Sequence, residues 1–200
     1  MSDGPMDAKE IAALHRDIAE KYRKVADSPA GLFRYPTGEA SVLGLGYPPP
    51  LVAIVPPALR ERFVGVGNPF ALRQIRTGDS VLDLGCGAGF DAWIAARLVG
   101  DTGHVVGIDL SPEMLAHAAA ESDKTRVARL AFCLGAVEAL PFLDGSFDIA
   151  LSNGVLNLVP DKPGALREIF RILRPGGRLP ACDSGLAGDE PPPDKTPWSD

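Results

Sequence analysis

The fold of this chain is decided by the stretch Ser80-Val81-Leu82-Asp83-Leu84-Gly85-Cys86-Gly87-Ala88-Gly89. The first five residues are mostly apolar, so they predict a short buried strand. The three glycines that follow predict a sharp turn whose backbone can approach a ligand closely. A helix predicted over residues 89–99 comes next and closes at Gly100. A strand, a glycine-rich turn and a helix in this order indicate a nucleotide-binding α/β unit.

Strands and helices alternate from this stretch towards the C-terminus. Further helices are predicted from Pro112, with Ser111 as the N-cap, and over residues 163–173. Further strands are predicted over residues 104–109, 129–134, 147–152 and 178–182. The alternation predicts an α/β fold with an open, doubly wound, mainly parallel sheet and helices on both faces. Pro180 cannot donate a ladder hydrogen bond, so the fifth strand is expected at an edge of the sheet.

The composition divides the chain into four parts. Residues 1–30 are predicted to form a helical cap, which either packs on the domain or covers a ligand, because residues 7–27 carry an apolar stripe. Residues 31–75 are rich in glycine and proline and are interpreted as a lid or substrate-side segment. Residues 76–183 form the predicted ligand-binding core, and residues 184–200 a flexible tail. The apolar stripe of the cap consists of Ile11, Leu14, Ile18, Tyr22 and Val25.

Composition and charge exclude several classes of function. The formal net charge of -6 argues against nucleic acid or an anionic membrane as partner, because both require a basic surface. No apolar run is long enough to span a bilayer, and the charged N-terminal residues do not resemble a secretory signal. The three cysteines, Cys86, Cys133 and Cys182, predict neither a disulfide framework nor a metal site. We therefore expect a cytoplasmic protein with a small-molecule substrate, and the sequence leaves its oligomeric state open.

Two carboxylates flank the glycine turn and predict the kind of ligand. Asp109 ends the second predicted strand, where a carboxylate can accept hydrogen bonds from both hydroxyls of a ribose. Asp83 precedes the turn, and its negative charge disfavours the pyrophosphate of a dinucleotide. The glycine spacing of dinucleotide-binding turns, G-x-G-x-x-G, is also absent, because this chain has G-x-G-x-G. S-adenosylmethionine carries an ammonium and a sulfonium and no phosphate, so its charge fits. A nicotinamide-dependent oxidoreductase is the alternative, although all three tyrosines lie upstream of the turn.

Four segments resemble the class I S-adenosylmethionine-dependent methyltransferases. Residues 83–89 are similar to their first motif, and Asp109 to their ribose-binding acid. Residues 135–142 with 146–148 are similar to their third-strand end and fourth strand, and residues 171–177 to the segment before their fifth strand. The resemblance covers residues 76 to 183 and implies a Rossmann-like methyltransferase core. The family's sheet ends with two further strands, one antiparallel, which this chain is expected to lack.

The strand-end positions and the resemblance together predict the cofactor site but no catalytic base. Asn153 ends the fourth strand on the ligand side and is expected to contact substrate or cofactor, the alternative being a turn-forming role. Met114 either covers the adenine face or packs in the core. The predicted cofactor-binding residues are Asp83, Gly85, Cys86, Gly87, Gly89, Asp109, Leu110, Met114, Ala136, Val137 and Asn153.

A narrower resemblance points to the arsenite methyltransferase branch. It rests on residues 21–26, 67–69, 89–91 and 152–162. That branch binds trivalent arsenic through cysteine thiolates, which suit a soft centre. This chain has Val64, Val66 and Gly154 at the corresponding positions. The resemblance implies a small-molecule methyltransferase with arsenite as the leading acceptor, and a non-catalytic cofactor-binding protein is the second hypothesis.

Overall fold

A six-stranded parallel sheet forms the centre of the protein. The computed structural model describes residues 6–125 and 129–184 of the chain. The strands are β1 Ser80–Leu84, β2 His104–Asp109, β3 Leu130–Leu134, β4 Phe147–Asn153, β5 Leu173–Arg178 and β6 Ala181–Cys182. They are ordered β3-β2-β1-β4-β5, and β6 also pairs with β4. The strand order reverses between β1 and β4, so the predicted doubly wound, parallel α/β fold is confirmed.

Within the described ranges, eight α-helices surround this sheet. They are α1 Ala8–Asp27, α2 Gly38–Gly44, α3 Pro49–Ala53, α4 Pro57–Arg60, α5 Pro69–Leu72, α6 Phe90–Val99, α7 Pro112–Thr125 and α8 Lys162–Ile172. The helix α1 begins at a capping box, in which the Asp7 carboxylate accepts from the Glu10 backbone and the Glu10 side chain accepts from the Asp7 backbone. None of the helices in the described ranges combines the length and apolarity that crossing a membrane would require.

Strand β1 is buried on both faces, which explains its apolar sequence. All five of its residues are buried, and it pairs with β2 on one side and β4 on the other. Val81 packs in the same cluster as Ala95 of α6. Leu82 packs in the same cluster as Ile169 of α8. Successive residues of a strand point to opposite faces, so β1 joins the two halves of the core.

The segment between α1 and β1 packs on the sheet domain through an apolar cluster of its own. This segment contains the four short helices α2–α5. Val52, Leu59 and Phe63 share one buried cluster with Trp93 of α6 and Met114 of α7. Because these side chains are buried, the segment is held at the same side of the sheet as α6 and α7. The helix α1 in turn packs along α7.

The last strand differs from its predicted form. A single strand was expected over residues 178–182, but Pro180 lies between β5 and β6 rather than within a strand. Proline has no N–H, and here its carbonyl instead accepts a hydrogen bond from the Ser152 N–H at 3.1 Å. The pairing of β5 with β4 also shifts register between Phe147 and Ile149. The edge of the sheet is therefore made of two short pieces, and most of the predicted tail over residues 184–200 lies outside the described residues.

Two neighbouring residues of α8 test how the sheet is stabilised. Ile169 is 2% exposed and packs against β1, whereas Phe170 is 83% exposed. We expect Ile169→Ala to lower the free energy of unfolding by about 2–5 kcal/mol, because it leaves a cavity in the core. The matched change Phe170→Ala is expected to stay within about 0.5 kcal/mol of the wild type. Urea unfolding monitored by circular dichroism measures both, and equal losses would contradict this packing.

Candidate functional site

A cavity lies at the carboxyl ends of β1, β2 and β4. Together with the solvent space at its open mouth, it comprises about 920 Å³ that no protein atom fills. The turn after β1, the end of β2 and the residues after β3 and β4 line it from the sheet, and α1 with residues 59 and 62–65 line it from outside the sheet. Ligands of open α/β sheets bind at this end of the strands, next to the point where the strand order reverses.

The glycine turn adopts a backbone that only glycine adopts readily. Gly85 and Gly87 have φ angles of 58° and 53°, in the left-handed region. A Cβ atom at Gly85 would lie 2.5 Å from the Val155 Cγ2 atom, and one at Gly87 would lie 3.1 Å from the Met114 Cε atom. The turn is closed by a hydrogen bond of 3.0 Å from the Cys86 N–H to the Ile108 carbonyl. Backbone conformation and space therefore both require glycine here.

Asp109 ties this turn to the end of β2. Its Oδ2 atom accepts from the Gly87 N–H and its Oδ1 atom from the Ser111 N–H, each at 2.8 Å. Burial raises the pKa of the Asp109 carboxyl, and these backbone hydrogen bonds act in the opposite direction. Each carboxylate oxygen retains a further lone pair, so Asp109 can accept two hydroxyl groups without losing the turn.

Asp83 is a buried carboxylate that the described part of the chain satisfies only in part, through the backbone N–H of Ala92. It is 2% exposed and lines the cavity. Among the described residues its Oδ2 atom has no hydrogen-bond partner. Burial, and then the nearby charge of Asp91, raise the pKa of Asp83 well above its ordinary value. An unpartnered buried carboxylate oxygen indicates that a ligand completes the site, and its charge favours a cationic one.

Asp91 is a third buried carboxylate. In the sequence it stood out only as part of segment 89–91 of the narrower resemblance, not as a predicted site residue. Its Oδ1 atom accepts from the Tyr47 hydroxyl at 2.7 Å, and its Oδ2 atom from the Asn153 Nδ2 atom at 2.9 Å. Burial raises the pKa of Asp91 to about 6, although both hydrogen bonds lower it. The signal was present in the sequence, because a charged residue in the apolar first turn of α6 needs a buried partner.

Asn153 holds the overlying segment rather than presenting a free amide. Its Oδ1 atom accepts from the N–H groups of Val66 and Gly67 at 2.9 and 3.0 Å. Its Nδ2 atom lies 2.9 Å from the Gly67 carbonyl and 3.1 Å from the Tyr47 hydroxyl. Its side chain therefore joins the end of β4 to the segment before α5, in addition to lining the cavity.

The structure brings most of the predicted cofactor residues to this one cavity. Gly89 and Ala136 do not line it, and a Cβ atom at Gly89 would instead lie 3.1 Å from Ala118 and Phe132. The glycine caps α6 and lets that helix approach its neighbours closely. The predicted residues that do line the cavity are Asp83, Gly85, Cys86, Gly87, Asp109, Leu110, Met114, Val137 and Asn153.

Side chains from α1 that were not included in the predicted cofactor site also line the cavity. His15, Ile18 and Tyr22 follow one another at the three- and four-residue spacing of one helix face. The His15 Nε2 atom lies 3.0 Å from the Glu138 Oε1 atom, which joins α1 to the loop after β3. The apolar stripe of α1 was visible in the sequence, but its contact with Glu138 depends on the tertiary structure.

Val66 and Gly154, two of the positions that correspond to arsenic-binding cysteines in the arsenite methyltransferase branch, lie close together. A Cβ atom at Gly154 would lie 3.6 Å from the Val66 Cγ1 atom, and Val64 lines the cavity. Cys182 lies next to these positions, because a Cβ atom at Gly67 would be 2.7 Å from its Sγ atom and its carbonyl accepts from the Gly154 N–H at 2.7 Å. The chain thus has the spatial arrangement of these positions but carries no thiol at any of them.

The glycine turn generates a prediction for stability. We expect Gly85→Ala to lower the free energy of unfolding by about 1–3 kcal/mol, because the new methyl group meets Val155 and the left-handed backbone strains a non-glycine residue. Gly44→Ala is the control, since a Cβ atom there meets nothing within 4 Å inside α2. Urea unfolding measures the free energy of unfolding of both variants. Equal values for Gly85→Ala and Gly44→Ala would show that the turn accommodates a side chain without strain.

The raised pKa of Asp91 predicts how stability depends on pH. A carboxyl group whose pKa is higher in the folded than in the unfolded chain stabilises the protein at low pH, and this stability is lost as the pH rises through about 6. Between pH 4 and 7, we expect the free energy of unfolding of the wild type to fall by about 2–3 kcal/mol more than that of Asp91→Asn, because the amide does not ionise. Asp101→Asn, an exposed acid at the opposite end of the sheet, is the control. Identical pH profiles of the wild type and Asp91→Asn, from urea unfolding at each pH, would disprove the assignment.

Comparisons with known proteins agree with this geometry. An arsenite methyltransferase of Halobacterium salinarum is 43% identical over 120 residues, which are 60% of this chain and 31% of that protein. An arsenite methyltransferase of Aquipseudomonas alcaligenes is 38% identical over 173 residues, which are 83% of this chain and 49% of that protein. The chain therefore spans less than half of the length of these two curated relatives.

A solved structure and a family model complete the comparison. The crystal structure of an arsenic(III) S-adenosylmethionine methyltransferase from Chlamydomonas reinhardtii has a TM-score of 0.60 and 39% identity, over 66% of this chain and 48% of that one. The family model described as a methyltransferase domain matches residues 75–195. This match covers more than half of the chain, including the glycine turn and Asp109. The chain therefore belongs to the methyltransferase-domain family.

Proposed function

We propose that this chain binds S-adenosylmethionine and acts as the methyl-transferring part of a small-molecule methyltransferase. The observation that carries the proposal is the set of three buried carboxylates, Asp83, Asp91 and Asp109, that line one cavity. Within the described residues none of the three forms a salt bridge, so their negative charge favours a cationic ligand. Family membership gives the same ligand class independently.

The residues of the cavity fit each part of this cofactor. Asp109 has the free acceptor capacity for the two ribose hydroxyls while it holds Gly87. Leu110, Met114 and Val137 supply an apolar surface for the flat adenine ring. The unpartnered oxygen of Asp83 supports a position for the positively charged methionine end next to the glycine turn. We therefore assign Asp109, the three apolar side chains and Asp83 to these three parts in turn.

The same charges argue against the dinucleotide alternative. A pyrophosphate at the amino end of α6 would lie next to Asp83 and Asp91, neither of which forms a salt bridge in the described chain. Phosphate sites normally place backbone N–H groups and positive charge at that position. Repulsion from two buried carboxylates would offset the attraction of the helix end. The nicotinamide-dependent oxidoreductase is therefore the weaker hypothesis.

The protein's contribution to methyl transfer is positioning and exclusion of water. When bound, S-adenosylmethionine supplies a methyl group on a positively charged sulfur atom, which is already a strong electrophile. Tyr22 of α1, Leu59 of α4 and Phe63 line the cavity from outside the sheet and shield the reacting atoms from solvent. Asp83 would hold the positively charged methionine end of the cofactor and so orient it in the cavity. Positioning needs no general base, which is required only for an acceptor that arrives protonated.

The named activity of the relatives selects the first acceptor to test. The two curated relatives are arsenite methyltransferases, so arsenite with a thiol is one acceptor, together with a panel of small organic hydroxyl and amine compounds. Cofactor labelled on the methyl group identifies the product by mass spectrometry. Labelled product supports an enzyme, whereas cofactor binding without turnover of any acceptor supports the non-catalytic binding protein.

Asp109 provides the sharpest test of the cofactor site. We expect Asp109→Ala to weaken the binding of S-adenosylmethionine and S-adenosylhomocysteine by about 1–3 kcal/mol, because charge-assisted hydrogen bonds to the ribose are lost. Asp101→Ala is the matched control, since it removes an exposed acid just before the other end of β2. Isothermal calorimetry measures both affinities. Folded wild-type protein that gives no heat with either ligand would overturn the proposed function, and an unchanged affinity of Asp109→Ala would remove the ribose assignment.

A further inference from the structure

Six apolar side chains that are not among the predicted cofactor residues also line the cavity. We call this set the acceptor wall and define it by Leu59, Phe63, Val64, Val155, Leu158 and Pro160, all of which line the cavity. Its first three residues come from the segment before β1, and its last three from the loop between β4 and α8. Val155 lies directly beside Gly85, so the wall begins where the cofactor turn begins.

Three polar side chains near these residues, those of Asn153, Tyr35 and Arg62, are engaged within the protein. The amide of Asn153 is bound to the Val66 and Gly67 backbone and to Asp91. The Tyr35 hydroxyl donates to the Val64 carbonyl at 3.2 Å. The Arg62 guanidinium is held by two backbone carbonyls, with its Nε atom 2.8 Å from that of Ala26. A ligand on the wall therefore meets mainly apolar side chains, which recognise shape and apolar surface.

The thiols of the chain are not arranged to bind a soft metal or metalloid. The chain has three cysteines, and of these only Cys86 lines the cavity, where it is 9% exposed. Burial raises the pKa of the Cys86 thiol, and the negative charges of Asp109 and Asp83 raise it further, which keeps the thiol protonated. Cys133 lies on β3 and Cys182 on β6. No three His, Cys, Asp or Glu side chains in residues 6–125 and 129–184 are grouped so that they could hold a metal ion.

We propose that the acceptor bound by this cavity is an organic molecule with an apolar body, held against the acceptor wall by burial of apolar surface rather than by thiolate coordination of arsenic. This inference rests on the proposed function, because it assigns the remaining part of the same cavity to the methyl acceptor. Trivalent arsenic prefers several soft sulfur ligands, and the wall offers none. An aromatic or aliphatic compound instead matches its side chains.

The probe for the wall is 1-naphthol, a fluorescent apolar compound with one hydroxyl group. It is titrated into the full chain with and without saturating S-adenosylhomocysteine. We expect saturable binding to the wild type and binding at least about tenfold weaker to Leu158→Asn, which places a polar amide on the wall. Leu143→Asn is the control, because Leu143 is 83% exposed and does not line the cavity. Val64→Asn is the second wall variant if Leu158→Asn does not fold.

Arsenite is titrated in parallel, with reduced glutathione, and bound arsenic is measured by mass spectrometry after equilibrium dialysis. We expect no saturable arsenic binding. Saturable arsenic binding that Cys86→Ala abolishes, or naphthol binding that the wall variants leave unchanged, would overturn the proposal.

The two proposals fail in different ways. If folded wild-type protein does not bind S-adenosylhomocysteine, but Leu158→Asn still weakens the binding of naphthol, the proposed function is rejected and the apolar wall is retained. Intact S-adenosylhomocysteine binding with arsenic bound in the cavity retains the proposed function and rejects the wall as the acceptor site.

Discussion

Removal of three carboxylates from water at one end of the sheet is the constraint on which the site depends. Asp109 is compensated by two backbone N–H groups and Asp91 by a hydroxyl and an amide. Asp83 is left with an unpartnered oxygen in the described structure. Burial of a charge is unfavourable in free energy, so an uncompensated buried carboxylate is expected where a bound ligand offsets that free energy. In the proposed function this charge favours a cationic ligand, and the glycine turn lets that ligand lie close to the backbone.

The polar network around Asp91 also connects the site to the rest of the molecule. Tyr47 belongs to the segment before β1, Asp91 to α6 and Asn153 to β4. Asn153 in addition holds the backbone of Val66 and Gly67. The partly buried side chain of Asn153 therefore joins the end of β4 to the segment that lines the cavity from outside the sheet.

Local signals in the sequence predicted the core of the fold because they act over a few residues. The bounds of β1 and β2 agree with the prediction, and the resemblance to methyltransferases is confirmed by the family match. The break at Pro180 was misjudged, because pairing with β4 decides where the edge strand is interrupted. Asp91 and the hydrogen-bonding contact of His15 with Glu138 were missed as a site, since their partners are distant in sequence. The division of the chain into cap, lid, core and tail stays a prediction.

The sequence by itself determined the alternation of strands and helices, the glycine turn and the two acids that flank it. These features depend on side-chain periodicity and on backbone conformations that single residues impose. Only the tertiary structure decided that Val66 and Gly154 lie next to each other, that the Asn153 amide is saturated by the protein, and that apolar side chains from two distant segments line the same cavity. The physical reason is that burial and charge compensation are properties of residues brought together by the packed chain, and no local pattern encodes them.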